Sequence, residues 1–189
     1  IWTVLGDPTE GALLAAGTKA GGIEQRIEKE FPKQHEIPFD SDRKRSAVIR
    51  RMPDGTLHAF INGAPGGVLE LCTNLYTGNG IVPMTEEYRA RILAQNSAMA
   101  KQALRVLGSA YRNLNGPAPA GGYTADAVER DLVFVGLTGM YDPPRPEAAV
   151  AIRDARRAGI RVVMITGDHP HTAARIAADL GIVEPGAKA

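Results

Sequence analysis

The chain has 189 residues, 44% of them hydrophobic, which is enough to bury one large core or two small ones. Its formal charge of +1 argues against a general binder of nucleic acid or acidic membranes. A single cysteine, Cys72, excludes an internal disulfide and a cysteine-based zinc site, and fits a reducing compartment. No signal peptide and no apolar run of about 18 residues is present, so this stretch is not expected to cross a membrane. The first residue is Ile1 rather than Met, which suggests a piece excised from a longer protein.

Residues 1–5 read as a strand entered in mid-course. A helix follows, with Asp7 as N-cap, Pro8 at its first position, Glu10 closing a capping box and Gly17 at its end. A second helix is expected over 23–31, stopped by Pro32. Residues 34–38, 46–52 and 56–61 are strand-like, with a turn at Pro53, Asp54 and Gly55. Between the first two of these lies FDSDRKR: Phe39, an acidic turn, then Arg43, Lys44 and Arg45. A ring beside flexible cations can stack on a base and reach phosphates. Taken alone, it reads more readily as a solvated charge run on a surface hairpin.

Residues 62–67 form a glycine-rich stretch leaving a strand, with a helix expected over 67–72. Such a stretch lets backbone approach a ligand closely, though it matches no dinucleotide or phosphate-loop fingerprint. Residues 76–82 read as a turn-rich connection, and Thr85 as the cap of a long helix reaching about residue 103. A strand over 104–111, a Pro/Gly-rich loop over 113–122, a short helix over 125–130 and a strand over 132–137 follow. At 140–146, MYDPPRP, three prolines mark a stiff hinge or boundary. Beyond it the pattern turns βα-like. A helix over 147–158 is closed by Gly159, a buried parallel-type strand is expected over 160–165, and a second helix over 169–180 is closed by Gly181. Thr166 and Asp168 then stand at a strand's carboxyl end, where ligands gather in open α/β sheets. His169 and His171 near Asp168 lack further partners at ligand spacing, so a helix start is preferred to a metal site, and no metal ligand is assigned.

Several stretches, in order, resemble the cytoplasmic part of the P-type cation-transporting ATPases, in the branch of the calcium and sodium/potassium pumps. They are GDPTEGAL, PFDSDRKRSAV, NGAPGGVLELC, RVLGSAYR, VGLTGMYDPPRPE and GIRVVMITGDH. The resemblance implies an α/β (α+β) fold: an antiparallel sheet flanked by helices, followed by a partial βα segment of the haloacid-dehalogenase type. It implies a nucleotide-binding domain over 1–142, lacking its first strands, and part of a phosphorylation domain over 143–189.

By the same resemblance Phe39 stacks on adenine, Lys44 lines the pocket and Glu10 sits near the adenine amino group. Arg105 reaches the phosphates. Thr166 and Asp168 support phosphoryl transfer, and Asp142 and Arg145 belong to the hinge. The implied ligands are ATP and the Mg2+ that travels with it. The implied partners are the remaining phosphorylation, actuator and membrane domains of one parent protein, with no nucleic acid. The setting is the cytoplasmic side of an integral membrane protein.

Two departures stand out. The family's usual Lys-Gly-Ala-Pro-Glu begins here with Asn62 and Gly63, so a pocket cation is lost. A family arginine two residues after the aromatic is Ser41, with Arg43 and Arg45 as candidates to replace it. Neither the Asp-Lys-Thr-Gly-Thr phosphorylation motif nor the Gly-Asp-Gly-x-Asn-Asp magnesium motif occurs. The expectation is therefore a nucleotide-binding but catalytically inactive piece of an ATPase. Two other readings are a stand-alone phosphatase of the dehalogenase class, or a non-enzymatic interaction domain with a basic face over 153–161. The phosphatase needs an Asp-x-Asp pair on a buried strand end, and the Asp-x-Asp of this chain, Asp40 and Asp42, falls in a turn.

Overall fold

The computed structural model describes residues 8–21, 24–102, 104–114, 116, 121–141, 144–166 and 170–184. The chain divides into two compact units, residues 1–93 with 106–138, and residues 94–105 with 139–189.

The first unit holds a sheet whose backbone is dictated by alternation. In β2 (Arg45–Arg51) residues 47 and 49 are buried, and in β3 (Leu57–Gly63) residues 59, 61 and 63, in alternation with half-buried neighbours. Ala47, Ile49, Ala59 and Ile61 point to one face, joined there by Ala110, Leu132 and Phe134. Cross-strand neighbours alternate small and large: Ala47 pairs with Ile61, which pairs with Ala110, while Ile49 pairs with Ala59. Such rows let side chains interdigitate at interior density.

The seven strands run in the order β1-β2-β3-β6-β7-β4-β5. The remaining strands are β1 (Lys33–Asp40), β4 (Cys72–Tyr76), β5 (Ile81–Pro83), β6 (Arg105–Leu114) and β7 (Leu132–Met140). The pairs β1/β2, β2/β3, β3/β6 and β4/β5 are antiparallel, whereas β4 lies parallel to β7. The fold is thus a mixed α/β sheet flanked by helices.

Helix α3 (Pro65–Glu70) lays Val68 and Leu69 on the buried face. Helix α5 (Ala125–Val128) adds Val128, and Thr124 caps it by accepting the Ala127 N–H. Helix α4 (Glu86–Ala100) starts as expected, with Thr85 Oγ1 accepting the Tyr88 N–H at 3.2 Å. From α4, Ile92 packs against the core, and the Arg89 guanidinium donates to the carbonyls of Leu69 and Cys72. It thereby ties α4 to a carbonyl in the last turn of α3 and to one at the start of β4. The opposite face of β3 and β6 carries half-buried aromatics, with His58 stacked on Tyr111 at 5.9 Å between ring centroids.

Four expectations are corrected by the fold. Helix α1 (Pro8–Lys19) does not end at Gly17; it runs on to Lys19, and Gly21, two residues later, turns the chain with a φ of +90°. Helix α2 (Glu24–Glu30) is close to its expected place. The glycine-rich stretch is not an open loop. Asn62 and Gly63 finish β3, and α3 begins at Pro65, because proline is suited to the first helical position. The turn-rich connection expected over 76–82 is confined to residues 77–80, between strands at 72–76 and 81–83. A register shift between Cys72 and Asn74 hides their period of two.

The fourth correction lies in the second unit. Helices α6 (Pro146–Arg157) and α7 (Pro170–Asp179) form, and α7 buries Ala173 and Ala177. Arg156 Nη2 donates to the Ile182 carbonyl at 2.7 Å. The expected strand over 160–165 has no regular secondary structure and no ladder among the described residues, and Ile165 is 94% exposed. A parallel-type strand is stable only between neighbours that complete its hydrogen bonds and cover its faces.

Candidate nucleotide site

One end of the first unit's sheet is built by the β1–β2 hairpin. Between Ile37, opposite Ala47, and Asp40, opposite Arg45, β1 has one residue more than β2. This bulge falls on Pro38 and Phe39. A bulge re-aims side chains, and Phe39 is left 64% exposed. A solvated phenyl face has no packing role to explain it.

The turn over 41–44 is built from its own acid. Asp40 Oδ1 accepts the N–H of Asp42 at 3.0 Å and of Arg43 at 2.8 Å. The Lys44 N–H returns to the Asp40 carbonyl at 2.7 Å. These bonds, led by the one from Arg43, hold the Asp40 carboxyl below its usual range. Lys44 takes φ +51°, an uncommon conformation for a non-glycine residue, and its side chain is exposed.

The end of β3 lies against this turn. The Ala64 N–H donates to the Lys44 carbonyl at 2.9 Å. A Cβ on Gly63 would lie 2.4 Å from Arg45 Cβ and 2.5 Å from Lys44 O, so only glycine allows the approach. Asn62 pairs with Ser46 on one side and Ser109 on the other, and its Oδ1 accepts the Ser109 hydroxyl at 2.7 Å. Its amide is thus tied into the sheet where the family's usual residue would carry a charge.

Arg43 and Arg45 do not stand free as replacement cations. Both reach Glu129, immediately after α5, whose side chain is 1% exposed. Arg43 Nη1 donates to Glu129 Oε1, and Arg45 Nε donates to Oε2 at 2.6 Å. Arg43 Nη2 also donates to the Pro38 carbonyl at 3.0 Å, and Arg45 Nη1 to the Arg43 carbonyl at 3.1 Å. Sequence reasoning missed Glu129. The available signal was a carboxylate directly after the apolar Val128 and three residues before Leu132, far in the chain from the arginine pair.

The strand register therefore places Phe39, Lys44, Asn62 and Gly63 at the same end of the sheet. Glu10 lies exposed in the first turn of α1, and Arg105 is the exposed first residue of β6. In the second unit, Thr166 is exposed after the 160–165 segment, and Arg145 is the exposed N-cap of α6. Asp142 and Asp168, like the expected cap Asp7, lie outside the described residues. Among the described residues, no three His, Cys, Asp or Glu side chains converge to hold a metal. Cys72 is buried, and burial pushes its thiol up to about 12, so it is no nucleophile.

The first unit is thus a mixed α/β domain that presents an exposed aromatic and a lysine at one sheet end. Sequence comparison places it more narrowly. Residues 1–147 match the family described as P-type ATPase, cytoplasmic domain N, and the chain belongs to that family. It is 41% identical to "Calcium-transporting ATPase 1" of Bacillus cereus, over 95% of this chain and 20% of that protein. It is 39% identical to "Calcium-transporting ATPase" of Bacillus subtilis, over 97% of this chain and 20% of that protein. With "Sodium/potassium exporting P-type ATPase cta3" of Schizosaccharomyces pombe it shares 39% identity, over 97% of this chain and 17% of that protein. The chain thus spans about a fifth of the length of the curated relatives it matches. No helix among the described residues is long and apolar enough to cross a membrane.

Proposed function

We propose that this chain binds ATP for a membrane-embedded, cation-transporting P-type ATPase and delivers it to an aspartate elsewhere in the same protein. The observation that carries this reading is Phe39, raised on a bulge and exposed beside Lys44. The adenine ring stacks on Phe39. Lys44, Arg105 and the backbone at Asn62 and Gly63 accompany the rest of the nucleotide, with Glu10 toward the adenine amino group.

Residues 1–142 act as the nucleotide-binding domain, and 143–189 contribute to a phosphorylation domain of the haloacid-dehalogenase type. In the latter, Thr166 and Asp168 steady the transferred phosphoryl group, while Asp142 and Arg145 form the hinge. Mg2+ travels with the ATP phosphates and neutralises charge during transfer. The partners are the phosphorylation, actuator and membrane domains of the parent, which couples hydrolysis through an aspartyl-phosphate to cation movement. With neither the nucleophile nor the principal magnesium motif in its sequence, this chain alone turns over no ATP.

Titration with ATP followed by protein-detected NMR tests the reading. Shifts should centre on residues 39–45 and 62–64. Phe39→Ala should weaken binding about tenfold, since base stacking contributes roughly 1–3 kcal/mol. Unchanged affinity in the folded variant would remove Phe39 from the site.

A further inference from the structure

We infer that Glu129 is a positioning residue for the nucleotide site: from beneath the hairpin it holds Arg43 and Arg45 inward and so sets the orientation of Phe39 and Lys44. The inference rests on the nucleotide-binding reading for its consequence, and on the geometry of the hairpin for its cause.

The carboxylate is fixed from behind. Val128 and Leu132, on either side of it in the chain, are fully buried. The Glu129 N–H donates to the Ala125 carbonyl at 2.7 Å, and the Leu132 N–H to the Leu71 carbonyl at 2.9 Å. Only two residues separate Glu129 from Leu132, and one of them, Asp131, takes φ +51°. Glu129 therefore projects from a short, pinned segment between α5 and β7.

It acts forward through guanidinium planes. Arg43 bridges Glu129 and the carbonyl of Pro38, the residue just before Phe39. Arg45 bridges Glu129 and the Arg43 carbonyl, closing the turn from below. A guanidinium offers several donors in a rigid plane, so each bridge carries orientation as well as charge. These contacts join residues 84 and 86 positions apart in sequence. They tie the tip of the hairpin to the far side of the sheet order, where local turn bonds cannot reach. One carboxylate between two arginines also lowers the positive charge offered to phosphates, leaving the exposed Lys44 ammonium as the cation directed outward.

The test compares Glu129→Gln, Glu129→Asp and Arg43→Gln with the unaltered 189-residue chain. Without ligand, amide exchange at residues 42–44 and 64 should speed up about tenfold in Glu129→Gln, as the turn opens locally. Adenosine binding should weaken about tenfold as Phe39 loses its set orientation. ATP binding should weaken roughly two- to fivefold less than adenosine binding, because the released guanidiniums meet its phosphates, and it should become more sensitive to salt. Glu129→Asp should restore most of the exchange protection. If Glu129→Gln does not fold, Arg43→Gln, which leaves the buried carboxylate paired with Arg45 and frees no guanidinium, should speed exchange at residues 42–44 and weaken adenosine and ATP binding by similar factors. Unchanged exchange in the turn of a folded variant would overturn the inference. So would equal losses for adenosine and ATP with unchanged salt dependence in Glu129→Gln, the result of simple destabilisation. An unaltered chain that binds neither ligand would instead sink the nucleotide reading, and the exchange data would still decide whether Glu129 orders the hairpin.

Discussion

Residues 45–51, RSAVIRR, and residues 160–165, IRVVMI, make an instructive pair. The second is the more apolar and by composition the better strand, yet the first is the strand. Arg45–Arg51 sits between β1 and β3, exchanges backbone bonds with both, and buries Ala47 and Ile49 under helix side chains. The 160–165 segment has no ladder among the described residues, and Ile160, Val163 and Ile165 are 59%, 68% and 94% exposed. A strand is a property of its neighbours. β-propensity records how well a residue fits a half-buried pleated surface, and it contributes little where that surface is missing.

The largest effect that could break this comparison is in the core. Ile61→Ala removes a fully buried side chain packed between Ala47 and Ala110 and should cost about 2–5 kcal/mol in urea unfolding. Ile165→Ala should change stability by less than about 0.5 kcal/mol, because its side chain is already in water. Equal costs at the two positions would mean that 160–165 is buried after all.

A smaller effect sharpens the view of the sheet's site end. Asn62→Lys exchanges a hydrogen bond with Ser109 for an ammonium at the turn. It should tighten ATP binding by about 1 kcal/mol, the scale of a charge-assisted hydrogen bond, as read by calorimetry. Equal or weaker binding would show that Lys44 already supplies the needed charge.

The smallest effect is on pH. The carboxyl of Asp40 is held low by the amides of Arg43 and Asp42, so its turn bonds are in full force above the ordinary value of about 3.9. They are lost as pH falls through the lower, folded value. The Arg43 amide resonance should therefore hold its position down to about pH 4 and move only below it, and Asp40→Asn should abolish that titration.

Much of this molecule was legible in the sequence. The alternation in residues 45–63 dictates the antiparallel strands, since a period of two cannot place Ala47, Ile49, Ala59 and Ile61 on one face in any other backbone. Thr85, with acids at 86 and 87, announces the start of α4. The aromatic, acidic turn and cations of 39–45 identify the hairpin tip, and six ordered motifs point to the family whose match covers residues 1–147. All of these signals are local or short in period, so a linear reading captures them.

What only the tertiary structure decided depends on residues distant in sequence. Whether 160–165 becomes a strand is settled by pairing, not by its own residues. Whether residues 62–67 form an open loop is settled by Pro65 starting a helix against the sheet and by Gly63 closing on Arg45. Whether Arg43 and Arg45 serve as free cations is settled by a carboxylate more than eighty positions away, invisible until the fold sets α5 beneath the hairpin. Composition announces which groups carry charge; only the folded chain determines which of those charges are already answered from within.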